Sequence, residues 1–199
     1  VQSVIEAESP DAIVVATGAR PVRDGRSALT TQPIAGWEQP NVLTYEDVLA
    51  GADLGDTVLI VDEQGERTSP GLAELLAETG KHVEIVTRWP NASTQWLSFF
   101  NEIDFTYATF DRLGITVTPS TWVKEIQGTT VTCFNVYTQR EWTKTADSIV
   151  LVTTKRSSNE LHSLLASRRF PDLHEIGDAV APRWISDATR EGVRVAYSL

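Results

Sequence analysis

Residues 57–87 read TVLIVDEQGERTSPGLAELLAETGKHVEIVT, and this stretch decides the fold. Val58-Leu59-Ile60-Val61 is an unbroken run of branched aliphatic residues, the pattern of a strand buried on both faces. Residues 70–79, rich in Leu, Ala and Glu, predict a helix, and Gly80 is the residue that commonly follows a helix end. Val83-Glu84-Ile85-Val86 then predicts a second strand. Strand, helix, strand at this spacing is a βαβ unit, whose two strands must run parallel.

Upstream, residues 11–16 form a short apolar run closed by Thr17-Gly18, again as expected of a buried parallel strand and a tight turn. Residues 19–54 contain Pro21, Pro33, Gly36, Pro40 and Gly51, and read as a connector with one short helix near 45–50. Downstream, Trp96, Phe99, Phe100, Ile103, Tyr107 and Phe110 recur at helical spacing over 95–113, so that stretch is expected to be an amphipathic helix. Its aromatic stripe reads as core, with a flavin- or base-stacking platform as the alternative. Short β-branched runs at 115–118, 122–126, 130–137 and 148–152 predict strands. The chain closes with an expected helix at 159–166, a strand at 173–176 and a final helix with Ile185, Ala188, Gly192, Val195, Ala196 and Leu199 on one face.

Lys and Arg number 17 against 27 Asp and Glu, a formal net charge of −10. Nucleic acid and anionic membrane are therefore excluded as expected partners, since both require a basic face that releases counterions. No stretch is apolar for the roughly 20 residues that span a bilayer, and residues 1–4 lack a signal peptide's pattern, so a cytoplasmic protein is expected. The chain contains no methionine, which points to a fragment of a longer protein. Its single cysteine, Cys133, reads as a buried inert thiol in a strand. His82, His162 and His174 lack metal-ligand spacing, and no catalytic constellation is evident.

Three short stretches carry chemistry. In Val14-Val15-Ala16-Thr17-Gly18-Ala19-Arg20-Pro21, Gly18 lets the backbone turn closely at a strand's carboxyl end, where open α/β sheets bind ligands. An ordinary strand exit is the alternative. In Glu175-Ile176-Gly177-Asp178-Ala179, Asp178 can accept a hydrogen bond from a ribose or ribityl hydroxyl, or can simply cap the following helix. The third stretch is a substitution. After 58–61 a dinucleotide-binding turn reads G-x-G-x-x-G, whereas this chain has Asp62-Glu63-Gln64-Gly65-Glu66-Arg67-Thr68-Ser69-Pro70-Gly71. Asp62 and Glu63 are expected to place two charges where a diphosphate would sit. Each would oppose a phosphate charge by roughly 4 kcal/mol at about 4 Å and an effective dielectric near 20. NAD(P) binding by this unit is thus disfavoured. Arg67 and Arg88 either fold over the turn in compensation or are solvated.

Taken together, Pro10–Pro21, Asn41-Val42-Leu43-Thr44-Tyr45-Glu46-Asp47-Val48-Leu49 and Ile176-Gly177-Asp178-Ala179-Val180-Ala181-Pro182-Arg183 resemble the C-terminal half of the trimethylamine dehydrogenase, histamine dehydrogenase and 2,4-dienoyl-CoA reductase family. The resemblance implies an α/β fold: a Rossmann-like, three-layer nucleotide-binding domain, residues 55–152, inserted into part of a second FAD/ADP-binding-like domain. That second domain comprises 1–54 and 153–199 and lacks its first βαβ. The resemblance also implies a parent whose N-terminal TIM barrel, absent here, carries FMN and a 4Fe-4S cluster. It further implies ADP or FAD in the present region, with Thr17, Gly18, Gly177 and Asp178 as contacts and no catalytic residue. The degenerate turn at 62–71 looks like the amine-dehydrogenase branch, implying oxidation of an amine or N-methyl compound, electron transfer to an electron-transfer flavoprotein, and a homo-oligomeric parent. An NAD(P)H-binding part of an enoate-type reductase and a non-catalytic scaffolding module are the alternatives.

Overall fold

The computed structural model describes residues 2–93, 101–168, 170 and 172–199, and the chain divides into two compact units. One unit is Val1–Arg20 with Lys155–Leu199; the other, Pro21–Thr154, lies between those segments in sequence. The first opens with helix α1 (Gln2–Glu8), strand β1 (Ile13–Val15) and strand β2 (Ala19–Pro21).

The second unit begins with a loop and then β3 (Val42–Thr44) and α2 (Tyr45–Leu49). The Thr44 hydroxyl and the Asp47 carboxylate close a capping box at the start of α2, and Asp47 also accepts from the Arg23 guanidinium at 2.7 and 2.9 Å. The βαβ unit follows as β4 (Thr57–Asp62), α3 (Thr68–Glu78) and β5 (His82–Thr87). Next come α4 (Ile103–Leu113), β6 (Thr116–Thr118), β7 (Thr121–Gln127), β8 (Thr130–Asn135), β9 (Glu141–Thr145) and β10 (Ser148–Val152). The aromatic helix expected from 95 is observed from Ile103; Trp96, Phe99 and Phe100 lie outside the described residues.

Five strands form a parallel sheet in the order β3-β10-β4-β5-β6. Alternation along its central strands separates two cores. Leu59, Val61, Val86, Ile149 and Leu151 pack with Trp122, Val123, Ile126, Val131 and Cys133 of the antiparallel sheet β7-β8-β9. Val58, Ile60, Val83, Ile85, Val150 and Val152 pack with Leu72, Ala73 and Leu76 of α3 and Phe110 of α4. This is a three-layer, Rossmann-like α/β arrangement, as the resemblance implied, with the two strands of the βαβ unit parallel as their spacing required. The 130–137 run is shorter than expected, because Asn135 accepts from the N–H groups of Tyr137 and Thr138 and starts the turn into β9. Cys133 is buried, which pushes its thiol up to about 12 and leaves it protonated.

The chain returns to the first unit with β11 (Lys155–Ser157), paired with β2, then α5 (Glu160–Ser167), β12 (Leu173–Glu175), a 3₁₀ turn at Gly177–Ala179 and α6 (Ile185–Ala196). β12 pairs in parallel with β1. The sequence boundary drawn at residue 54 differs from the observed division after Arg20. Residues 42–44 join the five-stranded sheet as β3, and the preceding loop packs Ile34 into the same core.

Ile60 is 0% exposed at the centre of β4. Ile60→Ala is expected to lower stability by about 2–5 kcal/mol, through lost burial plus the cavity left behind, measurable by urea denaturation.

Candidate functional site

β1 and β12 run side by side with Val15 opposite Glu175, so the segments leaving them, Ala16-Thr17-Gly18 and Ile176-Gly177-Asp178, emerge at the same end. The Ile176 N–H donates to the Val15 carbonyl at 3.0 Å, which holds the two exits together. Both glycines adopt left-handed backbone, φ +74° at Gly18 and +64° at Gly177. They differ in what a side chain would meet. A Cβ on Gly18 would enter open space, whereas one on Gly177 would lie 3.2 Å from Ala188 Cβ on α6. Gly18 therefore bares its backbone, and Gly177 lets α6 approach.

A cleft of about 370 Å³ is lined by Gly18, Gly177, Asp178 and Arg183, with Ala16, Ile176, Ile185 and Ala188 completing it. Three of the four residues singled out in the sequence are thus gathered around one cavity. Thr17 is not in the lining. Its hydroxyl donates to the Ser158 carbonyl, and the Ser158 N–H donates to the Gly18 carbonyl at 2.9 Å, so Thr17 anchors the strand exit.

The Asp178 Oδ1 accepts from the Arg183 N–H at 3.0 Å. The start of α6 is instead served by Asp187, whose Oδ2 accepts from the Trp184 N–H at 3.4 Å. Asp178 accordingly organises the loop ahead of the helix. Its capping of α6, one of the sequence readings, is not what the geometry displays.

Glu191 was not a sequence candidate. Its Oε2 accepts from the Gly177 N–H at 2.7 Å and its Oε1 from Arg183 Nη2 at 2.8 Å. The backbone donor at Gly177 foremost, and the Arg183 guanidinium after it, hold the Glu191 carboxyl below its ordinary value. Only its place beside the apolar stripe of α6, one turn after Ala188, hints at this role in the sequence.

No family model matches the chain. Dimethylamine dehydrogenase of Hyphomicrobium sp. (strain x) is 30% identical over 94% of this chain and 29% of its own length. The structure of 6-hydroxypseudooxynicotine amine oxidase from Pseudomonas geniculata N1 superposes with a TM-score of 0.91 at 29% identity, over 96% of this chain and 29% of that one. Histamine dehydrogenase from Rhizobium sp. 4-9 superposes with a TM-score of 0.87 at 27% identity, over 94% and 30%. The chain is homologous to the C-terminal region of the trimethylamine and histamine dehydrogenase family. It spans less than a third of the length of these relatives.

In this chain the other strand-end turn, after β4, is closed. Asp62 is 0% exposed. Its Oδ1 accepts from Gly65 N–H at 3.2 Å and Ser69 Oγ at 2.6 Å, and its Oδ2 accepts from Thr87 Oγ1 at 2.8 Å. Glu63, 7% exposed, accepts from Ala28 N–H at 3.1 Å and stands 3.3 Å from Arg88 Nε. The Arg88 guanidinium lies 4.2 Å over the Trp89 ring, whose indole N–H donates to the Glu63 carbonyl at 2.9 Å. A Cβ on Gly65 would come within 2.8 Å of that nitrogen. Arg67 pairs with Glu102. The expectation of two charges displayed toward a diphosphate is therefore corrected. Both carboxyl groups turn inward because backbone and hydroxyl donors await them there, and the turn is filled by the chain's own side chains. Arg67 keeps the solvated place, 55% exposed beside Glu102, whereas Arg88 folds against the turn and offsets Glu63 rather than a phosphate-facing charge. Among the described residues no group of His, Cys, Asp and Glu could hold a metal, and no helix is long and apolar enough to cross a membrane.

Burial raises the Asp62 carboxyl above its ordinary value despite its three donors. The folded state thus disfavours the charged form. The contribution of Asp62 to stability is fully present below its unfolded value of 3.8 and is lost as pH rises through the raised folded value. Asp62→Asn keeps an acceptor and removes the titration, so its stability relative to wild type is expected to increase from about pH 4 to about pH 7. Thermal unfolding across that range checks this, and a pH-independent offset contradicts it.

Proposed function

We propose that this chain is the nucleotide-binding region of a flavin-dependent oxidoreductase of the amine or N-methyl amine dehydrogenase type, and that the cleft at the ends of β1 and β12 holds the adenine nucleotide, ADP or FAD. The observation that carries the reading is the pair of left-handed glycines at adjacent parallel strand ends, facing a cleft that Asp178 lines. Parallel strands leave their backbone groups and turns exposed only at their ends, which is where a ligand can approach without meeting a covering layer.

The residues suit such a group. Gly18 has open space in front of it, and about 370 Å³ falls in the range of small-molecule sites. Asp178 commits one carboxylate oxygen to Arg183 and retains Oδ2 as an acceptor for a sugar hydroxyl. Thr17 fixes the strand exit, and Gly177 admits α6 behind the turn. ADP held here would be structural, and FAD would bring a redox-active flavin. A 4Fe-4S cluster belongs to a different part of the parent, since it takes four thiolates and this chain has one cysteine, and FMN is assigned with it to the barrel that the resemblance implies. The two-stranded β1-β12 sheet supports membership of a larger sheet, because parallel sheets are stable when both faces are covered.

The units take different parts in this proposal. Val1–Arg20 with Lys155–Leu199 is the FAD/ADP-type domain, and Pro21–Thr154 is an NAD(P)-type domain that no longer binds dinucleotide, its turn being occupied by Asp62, Ser69 and Trp89. That assignment favours a parent of the amine-dehydrogenase type, passing electrons to a protein acceptor such as an electron-transfer flavoprotein, over an NAD(P)H-driven enoate reductase.

In the full-length protein, Gly18→Val is expected to strain the backbone and fill the cleft, and Asp178→Ala to remove a charge-assisted hydrogen bond worth about tenfold in affinity. Both variants should be purified with a reduced ratio of adenine nucleotide to FMN. An unchanged ratio in both would contradict the site.

A further inference from the structure

We infer that Glu191 is the positioning residue of this cleft, the side chain through which α6 presets residues 177–183 for a nucleotide. The inference rests on the nucleotide reading above and assigns the element that prepares the site.

The chain between β12 and α6 carries the ligand-facing groups yet has little regular structure of its own beyond one 3₁₀ turn. What fixes it is a closed ring of hydrogen bonds. Glu191 holds the two ends of the loop at once, Gly177 through its N–H and Arg183 through Nη2. Arg183 then closes the ring from within. Its N–H donates to Asp178 Oδ1 at 3.0 Å, its Nε to the Ala181 carbonyl at 3.2 Å and its Nη2 to the Gly177 carbonyl at 3.4 Å. Glu191 is largely shielded, with 13% of its side chain exposed, so its bonds to Gly177 and Arg183 are weakly screened.

Two consequences follow for the ligand. The Gly177 N–H is already taken, so it is not a donor to phosphate. The Arg183 charge is matched by Glu191, which leaves Asp178 as the uncompensated ionic group of the lining. The cleft is therefore set for the hydroxyl-bearing sugar of the nucleotide, with Asp178 presented in one orientation. A carboxylate held in place before binding spares the ligand the ordering cost of the loop.

The test is titration calorimetry of the nucleotide-stripped full-length protein with ADP, comparing wild type, Glu191→Ala, Arg183→Met, Asp178→Ala and the Glu191→Ala/Asp178→Ala double variant. Glu191→Ala and Arg183→Met are each expected to weaken binding about tenfold. If Glu191 acts through Asp178, the double variant binds about as weakly as Asp178→Ala alone, a non-additivity that general loss of stability does not produce. Wild-type affinity in Glu191→Ala, or losses that multiply in the double variant, would overturn the inference while leaving the nucleotide site intact. Should Glu191→Ala fail to fold, Arg183→Met breaks the same ring from its other side and decides the matter. A wild-type protein that binds neither ADP nor FAD, each titrated in turn, overturns the nucleotide reading itself, and this inference with it.

Discussion

A parallel strand has no solvent face, and that constraint organises the larger unit. β4 and β10 alternate residues between two cores, so helices must cover one side of the sheet and a second layer, here the antiparallel β7-β8-β9, the other. Once both faces are sealed, the backbone is accessible mainly where the strands stop. Function in such a unit is decided by the few residues that follow the strands' carboxyl ends.

The two strand-end systems in this chain have been treated in opposite ways by their side chains. After β4, a carboxyl group is folded back under the turn and satisfied by Gly65, Ser69 and Thr87, and an arginine-stacked tryptophan closes over the same turn. The Gly65 N–H, a backbone donor of the kind that would meet a phosphate, meets Asp62 instead. After β1 and β12, glycines replace side chains, and the acidic residues stand beside the cavity or behind it. One system has become structure and the other remains a cavity. Homology to amine dehydrogenases at 27–30% identity accompanies this contrast and spans both units.

Much of this was legible in the residues. The runs 58–61, 83–86 and 148–152 announce themselves because burial on both faces demands uninterrupted aliphatic side chains, and the helix of 70–79 follows from composition, although it begins earlier, at Thr68. Strand β9, Glu-Trp-Thr-Lys-Thr, was hidden because its polar residues alternate toward solvent and only Trp142 packs on the core. The three-residue strands β2 and β11 carry too few side chains to show a period. Asp62 misled because an acidic residue in a turn ordinarily faces water, and only the three-dimensional meeting with Thr87, 25 residues on, explains its burial. Gly18, Gly177 and Asp178, singled out by backbone and hydrogen-bonding logic, come to line one cleft. Glu191 was not singled out, since nothing local links it to Gly177, 14 residues earlier.

The central claim is that the β1-β12 cleft serves an adenine nucleotide while the β4 turn serves none. The most direct measurement is the identity of the nucleotides released when the full-length protein is denatured, by chromatography and mass spectrometry. The account predicts one ADP or FAD per chain alongside FMN, with ADP marking the amine-dehydrogenase branch. A protein that releases no adenine nucleotide, or that releases NADP in its place, would contradict it.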